Sequence, residues 1–540
     1  MLASKLTKII RACNVLLITL LGGAAAVSAY EVFRGPTELI YHDPAKASPG
    51  YTMFSPFRGQ NTYLIDMSGN VVHYWPYPQG WSAEGAESVE KHARLLRDGT
   101  LVRGTVNRAG RGGMSGAIYQ FINWDGKVLW EHDEERPGYT PHHDFRVIWN
   151  PKLEARTLLY VASKEMTHEE AIARGVDPAK RDNYASRPDG VVEVDMQGNV
   201  VWEWNITDHL VQDIDPGLPN HGVISEHPEK MDPNFGAGVS GDWIHINALD
   251  YNTTLDHVVV NNSTFSESYV IDHGATFVAG DPEESIALAA GESGDFIFRW
   301  GNPCAYDAGD CPSSVNEGQG STNGHQQVFF SHDIQWIREK EIGMGNNLPG
   351  AGNMLIFNNG ERQLDGVFSS VIEFNPYDGA MELGAYVPEV KAGYHRPASG
   401  MGMGMGMGVG ASVSNQVVWT FRSTLQNSFY SSYISGAQRM PNGNTLICSG
   451  GHGHLFEVTP EGEVVWEYIN PVGDRTGGDY GIFTTMTDTA GDRFNSVFKC
   501  ARYPSDYPGL EGKDLTPMGK ITELWTQQPA EPKSTIAARD

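Results

Sequence analysis

Three histidines share one local pattern. His143-Asp144-Phe-Arg-Val147, His245-Ile-Asn247-Ala-Leu249 and His332-Asp333-Ile-Gln-Trp336 each set an imidazole ahead of an apolar run that reads as a strand. A neutral imidazole serves as nucleophile, acid–base group or metal ligand. A histidine can equally cap a strand by hydrogen bonding alone, but three in one register favour a shared site. Asp144 and Asp333 follow directly and are placed to orient neighbouring rings.

The elements that must position these rings are hairpins. A phrase of turn, Gly, two apolar residues and Trp recurs at Asp66–Trp75, Trp124–Trp130, Val194–Trp202 and Val458–Trp466, with weaker copies at Glu373–Leu383 and Val417–Trp419. Each copy is a strand, a tight Gly turn and a second, alternating strand. A second phrase stands at Asp98-Gly99-Thr100-Leu101 and Asn442-Gly443-Asn444-Thr445-Leu446. Hairpins repeating without long helices predict an all-β fold, a six-bladed β-propeller with long surface insertions; an extended β-sandwich is the alternative. In a propeller each histidine would begin the innermost strand of a blade, so the three rings would converge on one mouth of the channel. Thr167–Arg174 reads as a short insertion helix. Gly400–Gly408, alternating Gly and Met, reads as a loop, with Cu(I) binding as the minority reading.

The 540 residues carry 39 basic against 66 acidic side chains, a formal net charge of −27. Such a surface repels phosphate backbones, which argues against nucleic-acid partners. Lys5, Lys8 and Arg11 precede an apolar run closed by Val27-Ser28-Ala29, the layout of a secretory signal cut after Ala29. Residues 1–29 are thus expected to be a leader and 30–540 the propeller domain. A retained anchor is the rival, but the run is short for a bilayer core of ~30 Å. No stable membrane insertion is expected after cleavage, and the location is periplasmic or secreted. Cys304 and Cys311 bracket a short polar loop and are expected to form a disulfide, with a zinc pair as the rival reading; Cys448 reads as a buried thiol. No metal site and no cofactor are assigned, although imidazoles sharing a channel are able to hold Zn, Cu or Fe. A nucleotide-binding Gly-x-x-x-x-Gly-Lys-Ser/Thr loop is absent from the sequence.

Several blocks carry a resemblance. They are Gly50–Pro56, Thr62–Asp66, His142-His143-Asp144, Asp242–Asn247, Ser331-His332-Asp333, Ile356–Arg362, Ser435–Leu446 and Asn495–Tyr503. Together they resemble the bacterial arylsulfotransferase family, exported propeller enzymes that move a sulfuryl group between phenols. The resemblance implies ping-pong transfer from an aryl sulfate to a phenolic acceptor through a sulfohistidine, without a nucleotide donor. It implies His245, His332 and His143 as catalytic imidazoles and Arg362 as the fixed cation facing the sulfuryl oxygens. Asn247, Asp333, Asn359 and Arg439 become substrate-binding positions, although an arginine such as Arg439 more commonly pairs with a carboxylate. On so negative a body, anion capture calls for local positive charge from Arg362, with Arg146 or Arg439. The family's covalent acceptor histidine has no counterpart in register, because Ser435 stands there. The acceptor is then missing, displaced, or replaced by His143, His245 or His332. Metal-binding and non-catalytic propellers are the competing readings.

Overall fold

A computed structural model describes residues 35–57, 59–77, 92–106, 117–179, 187–236, 243–314, 322–338, 348–376, 416–425, 428–475, 480–482, 484 and 493–527. The expected leader at 1–29 and the Gly-Met run at 400–408 lie outside them.

The alternating segments pair as antiparallel sheets in six blades, the expected six-bladed propeller. From the inside outwards, blade 1 is Val497–Tyr503, Tyr51–Pro56, Asn61–Ile65 and Val71–Pro76; blade 2 runs from Ala93–Leu95 to Val128–Asp133. Blade 3 runs from Tyr139–Asn150 to Val200–Asn205, and blade 4 from Ile246–Asn252 to Phe298–Trp300. Blade 5 runs from His332–Trp336 to Val417–Phe421; blade 6 starts at Gly436–Arg439 and ends with Val464–Ile469 and a fifth strand, Glu38–His42. The ring is therefore closed twice. A C-terminal strand forms the inside of blade 1 (Thr52 opposite Arg502), and an N-terminal strand edges blade 6 (Glu38 opposite Ile469).

The repeated phrase has a physical role at each of its parts. Asp66 and Asp195 accept backbone N–H bonds of 2.8–2.9 Å from the residues two and four further on, and Gly69 and Gly198 take the left-handed φ that the turn needs. The tryptophans then fasten blade to blade. The indole N–H of Trp75 donates to Asn123 O at 3.3 Å, Trp202 to Thr276 Oγ1 at 3.0 Å, Trp419 to Pro460 O at 2.8 Å and Trp466 to Met67 O at 3.0 Å. Each bond crosses to the following blade, so a large apolar ring and one satisfied donor seal every such seam.

Cys304 and Cys311 are joined in a disulfide, and Cys448 is a buried free thiol. The insertion helix spans His168–Ala173, with Thr167 and Glu170 forming a capping box. A second helix, Pro282–Ala290, was not anticipated: it is short, capped by Asp281, and buries only Ser285 and Ala289, leaving little amphipathic signal. No helix among the described residues is long and apolar enough to cross a membrane.

Inside the ring, Lys499 of the closing strand reaches Asp144 of blade 3 and Asp333 of blade 5, at 2.6 Å each. Burial alone would lower the Lys499 pKa, but the two carboxylates raise it. Burial would likewise raise Asp144, yet Lys499 and the hydrogen bond from His92 hold it well below the usual carboxylate range. Lys499→Met leaves two buried carboxylates facing each other. The expected loss is about 3–5 kcal/mol in urea unfolding. Because the Asp144 pKa is depressed on folding, its stabilisation is present above the ordinary carboxylate pKa and lost as pH falls below it. The loss caused by removing Lys499 should therefore be largest near neutral pH and shrink as pH falls.

Candidate active site

The innermost strands run in the same direction along the channel: His332 begins its strand, His92, His245, Ser435 and Ser496 each stand one residue before theirs, and His142-His143 lie within the longer strand Tyr139–Asn150. The shared register thus brings the three expected imidazoles to one mouth. His245 Nε2 lies 3.0 Å from His143 Nε2. His332 is close enough to both that they add to the lowering of its pKa. Asn247 and Ser331, the neighbours of His245 and His332, are tied by a 2.9 Å bond from Asn247 Nδ2 to Ser331 O.

Hydrogen bonding fixes the state of each ring. Asn359 donates through Nδ2 to Ser431 O at 2.7 Å and Ile434 O at 2.9 Å, so its Oδ1 must face His332 Nδ1, 2.7 Å away. His332 therefore carries its proton on Nδ1 and a lone pair on Nε2, which has no hydrogen-bond partner among the described residues. Burial lowers its pKa to about 3, against the raising effect of Asn359, so the ring is neutral at any ordinary pH.

The other rings form a chain. Asp189, anchored by the backbone N–H of Ile246 at 2.6 Å, accepts from His142 Nε2 at 3.0 Å. His142 Nδ1 is 2.6 Å from His143 Nδ1. With all rings neutral, one tautomer set satisfies the chain: His143 Nδ1–H donates to His142, and His245 Nε2–H donates to His143 Nε2. A buried carboxylate thus orients three imidazoles in series.

The remaining expected residues are used differently. Asn247 is engaged by Ser331 and Asn261, Asn359 by His332 and two carbonyls, and Asp333 by Lys499, Gln335 and the backbone N–H of Ala437. These side chains hold the site together rather than reach into it. Arg439 is buried against Glu373 and Gly443 O, the carboxylate pairing weighed from sequence. Arg362, expected as a fixed cation, has a side chain 77% exposed and 3.9 Å from Glu361; among the described residues no bond holds it against the imidazoles. Its backbone takes a left-handed φ of 70°, which the sequence block did not reveal. Ser435 does occupy the acceptor register, but its Oγ is buried between Ser431 Oγ and the N–H of Gly450, both at 2.9 Å. No three His, Cys, Asp or Glu side chains among the described residues group to hold a metal ion. Sequence reading missed Asp189, Lys499 and the fourth histidine in register: His92 stands four residues before Leu96, as His143 stands before Val147.

Residues 51–278 match the family described as arylsulfotransferase (ASST). The arylsulfate sulfotransferase AssT of Escherichia coli O6:H1 (strain CFT073) is 22% identical over 421 residues, 74% of this chain and 58% of that protein. The chain thus spans under two thirds of that relative. Among solved structures, a Bacteroides caccae protein of unknown function aligns with a TM-score of 0.39 and 11% identity over 84% of this chain and 99% of its own. The periplasmic gluconolactonase of Pseudomonas aeruginosa gives 0.35 and 10% over 81% and 98%. The two sequence matches point the same way: residues 51–278 are similar to the arylsulfotransferase family, and the chain is similar to one of its members.

The His332 assignment is open to direct measurement. Its imidazole is expected to stay neutral in NMR titrations down to about pH 3. In Asn359→Asp, a carboxylate facing Nδ1 should raise that pKa by two units or so. A wild-type ring that titrates near 6.5 overturns the assignment.

Proposed function

We propose that this chain acts as an arylsulfotransferase, transferring a sulfuryl group from an aryl sulfate to a phenol, with His332 as the covalent acceptor; the similarity of residues 51–278 to that family supports the reading. The observation that carries the choice of His332 is its hydrogen bond to Asn359, which leaves Nε2 as a fixed lone pair on a ring kept neutral by burial. A nucleophile that needs no deprotonation is ready at any physiological pH.

In the first half-reaction Nε2 attacks sulfur, an N–S bond forms, and the S–O bond to the aryl group breaks. The departing phenolate takes a proton from the His245–His143 pair when the pair holds one extra proton as an imidazolium facing the Asp189-anchored series, and both rings are left neutral. Asn359 keeps its bond to Nδ1–H and so stabilises the positive charge that develops on the sulfated ring. In the second half, a phenol gives its proton back to the pair and attacks sulfur, the N–S bond breaks, and neutral His332 returns. The sum exchanges one aryl group for another and consumes nothing else. Such chemistry suits an exported protein, the leader layout at 1–29 supporting a periplasmic or secreted location.

Incubation with 4-nitrophenyl sulfate and phenol should release nitrophenolate, and sulfur-35 donor without acceptor should label the protein stoichiometrically. His332→Ala is expected to lose both, with turnover falling on the order of 10³-fold or more. His245→Ala should cost roughly 10²–10⁴-fold as an acid–base loss while leaving some label. Arg362→Ala, in solvent, should cost less than about tenfold. No release with any phenol between pH 5 and 9, or full labelling of His332→Ala, overturns the reading.

A further inference from the structure

Lys499 and Asp333 also line a cavity of about 320 Å³. It lies further along the inner strands: Tyr251 in its wall is six residues past His245, ~20 Å of extended chain. Six cations line it, Arg94, Arg97, Arg146, Arg156, Arg338 and Lys499, in a protein of net charge −27.

Most of this charge is answered within the wall. Arg146 bonds Asp144 and Asp250, Arg338 bonds Asp250, Lys499 bonds Asp144 and Asp333, and Arg156 bonds Asp98. Six cations against four carboxylates leaves two in excess. Arg94 approaches only Asp144, at 3.9 Å, a carboxylate already claimed by Lys499 and Arg146. No ion pair engages Arg97 among the described residues. One donor of the wall, Arg94 Nε, is buried without a hydrogen-bond partner. Buried polar atoms left open in a native fold call for a partner that the protein does not supply. Tyr503, Tyr507 and Trp149 add aromatic surface to the same wall.

We propose that this chamber is a binding site for a small organic monoanion carrying an aromatic ring, separate from the imidazole mouth. The anionic group pairs with Arg94 and Arg97, and the ring lies against Tyr503 and Tyr507. Partial burial of Arg94 strengthens its pairing with an anion relative to open solvent, while Arg97 acts from the exposed rim. Lys499, with Asp144 and Asp333, forms the partition between this chamber and the histidines.

Benzoate, which has no sulfuryl group to transfer, probes the chamber independently of turnover. Isothermal titration of the whole protein should show one saturable site. Affinity should be unchanged within about twofold in His332→Ala, and weakened at least tenfold in Arg94→Gln/Arg97→Gln. Arg97 is exposed, so Arg97→Gln alone tests the site without risk to folding and should weaken binding by threefold or more. Absence of saturable binding, equal affinity in Arg97→Gln, or loss in His332→Ala overturns the proposal.

Discussion

One buried cation bears on everything inside the ring. Lys499 sits on the strand that closes the propeller and is held by carboxylates from two blades other than its own. Such a group is stable in a low-dielectric interior only while both partners stay in place, and each partner without it is a liability. Asp144 and Asp333 also accept backbone N–H bonds from Leu249 and Ala437 in the following blades. Blades 1, 3, 4, 5 and 6 are thereby tied through one set of charges, and the positions of the histidines follow from that set.

The chemistry of the mouth comes from subtraction rather than addition of charge. Burial removes the proton from His332, and an amide rather than a carboxylate faces its Nδ1. A carboxylate there would favour the imidazolium and remove the lone pair. Carboxylate is reserved for Asp189, at the other end of the His142–His143–His245 series, where orienting a ring and sharing a proton are useful. On the proposed reading, the two kinds of neighbour divide the imidazoles into a nucleophile and an acid–base group.

Much of this was legible beforehand. The hairpin phrase marked the blades because its Asp, Gly and Trp are each tied to a local or seam-crossing bond, and the histidine register marked the mouth because every inner strand starts there. Side-chain bookkeeping was less visible. Arg439 and Arg362 looked alike as isolated arginines, yet one meets Glu373 across the seam between blades 5 and 6 and the other is exposed at a residue of left-handed φ. Lys499 reads as an odd charge inside Val497-Phe-Lys-Cys-Ala, and its meaning depends on carboxylates more than 160 residues away. Contacts of that range leave no local pattern.

The double closure also bears on when the protein becomes itself. The inner wall of blade 1 is supplied by residues 497–503, so a growing polypeptide holds five lined sectors and a gap until those residues have been synthesised. Neither compartment exists on that nascent form, and its unsealed strand edges are exposed to mispairing in the meantime.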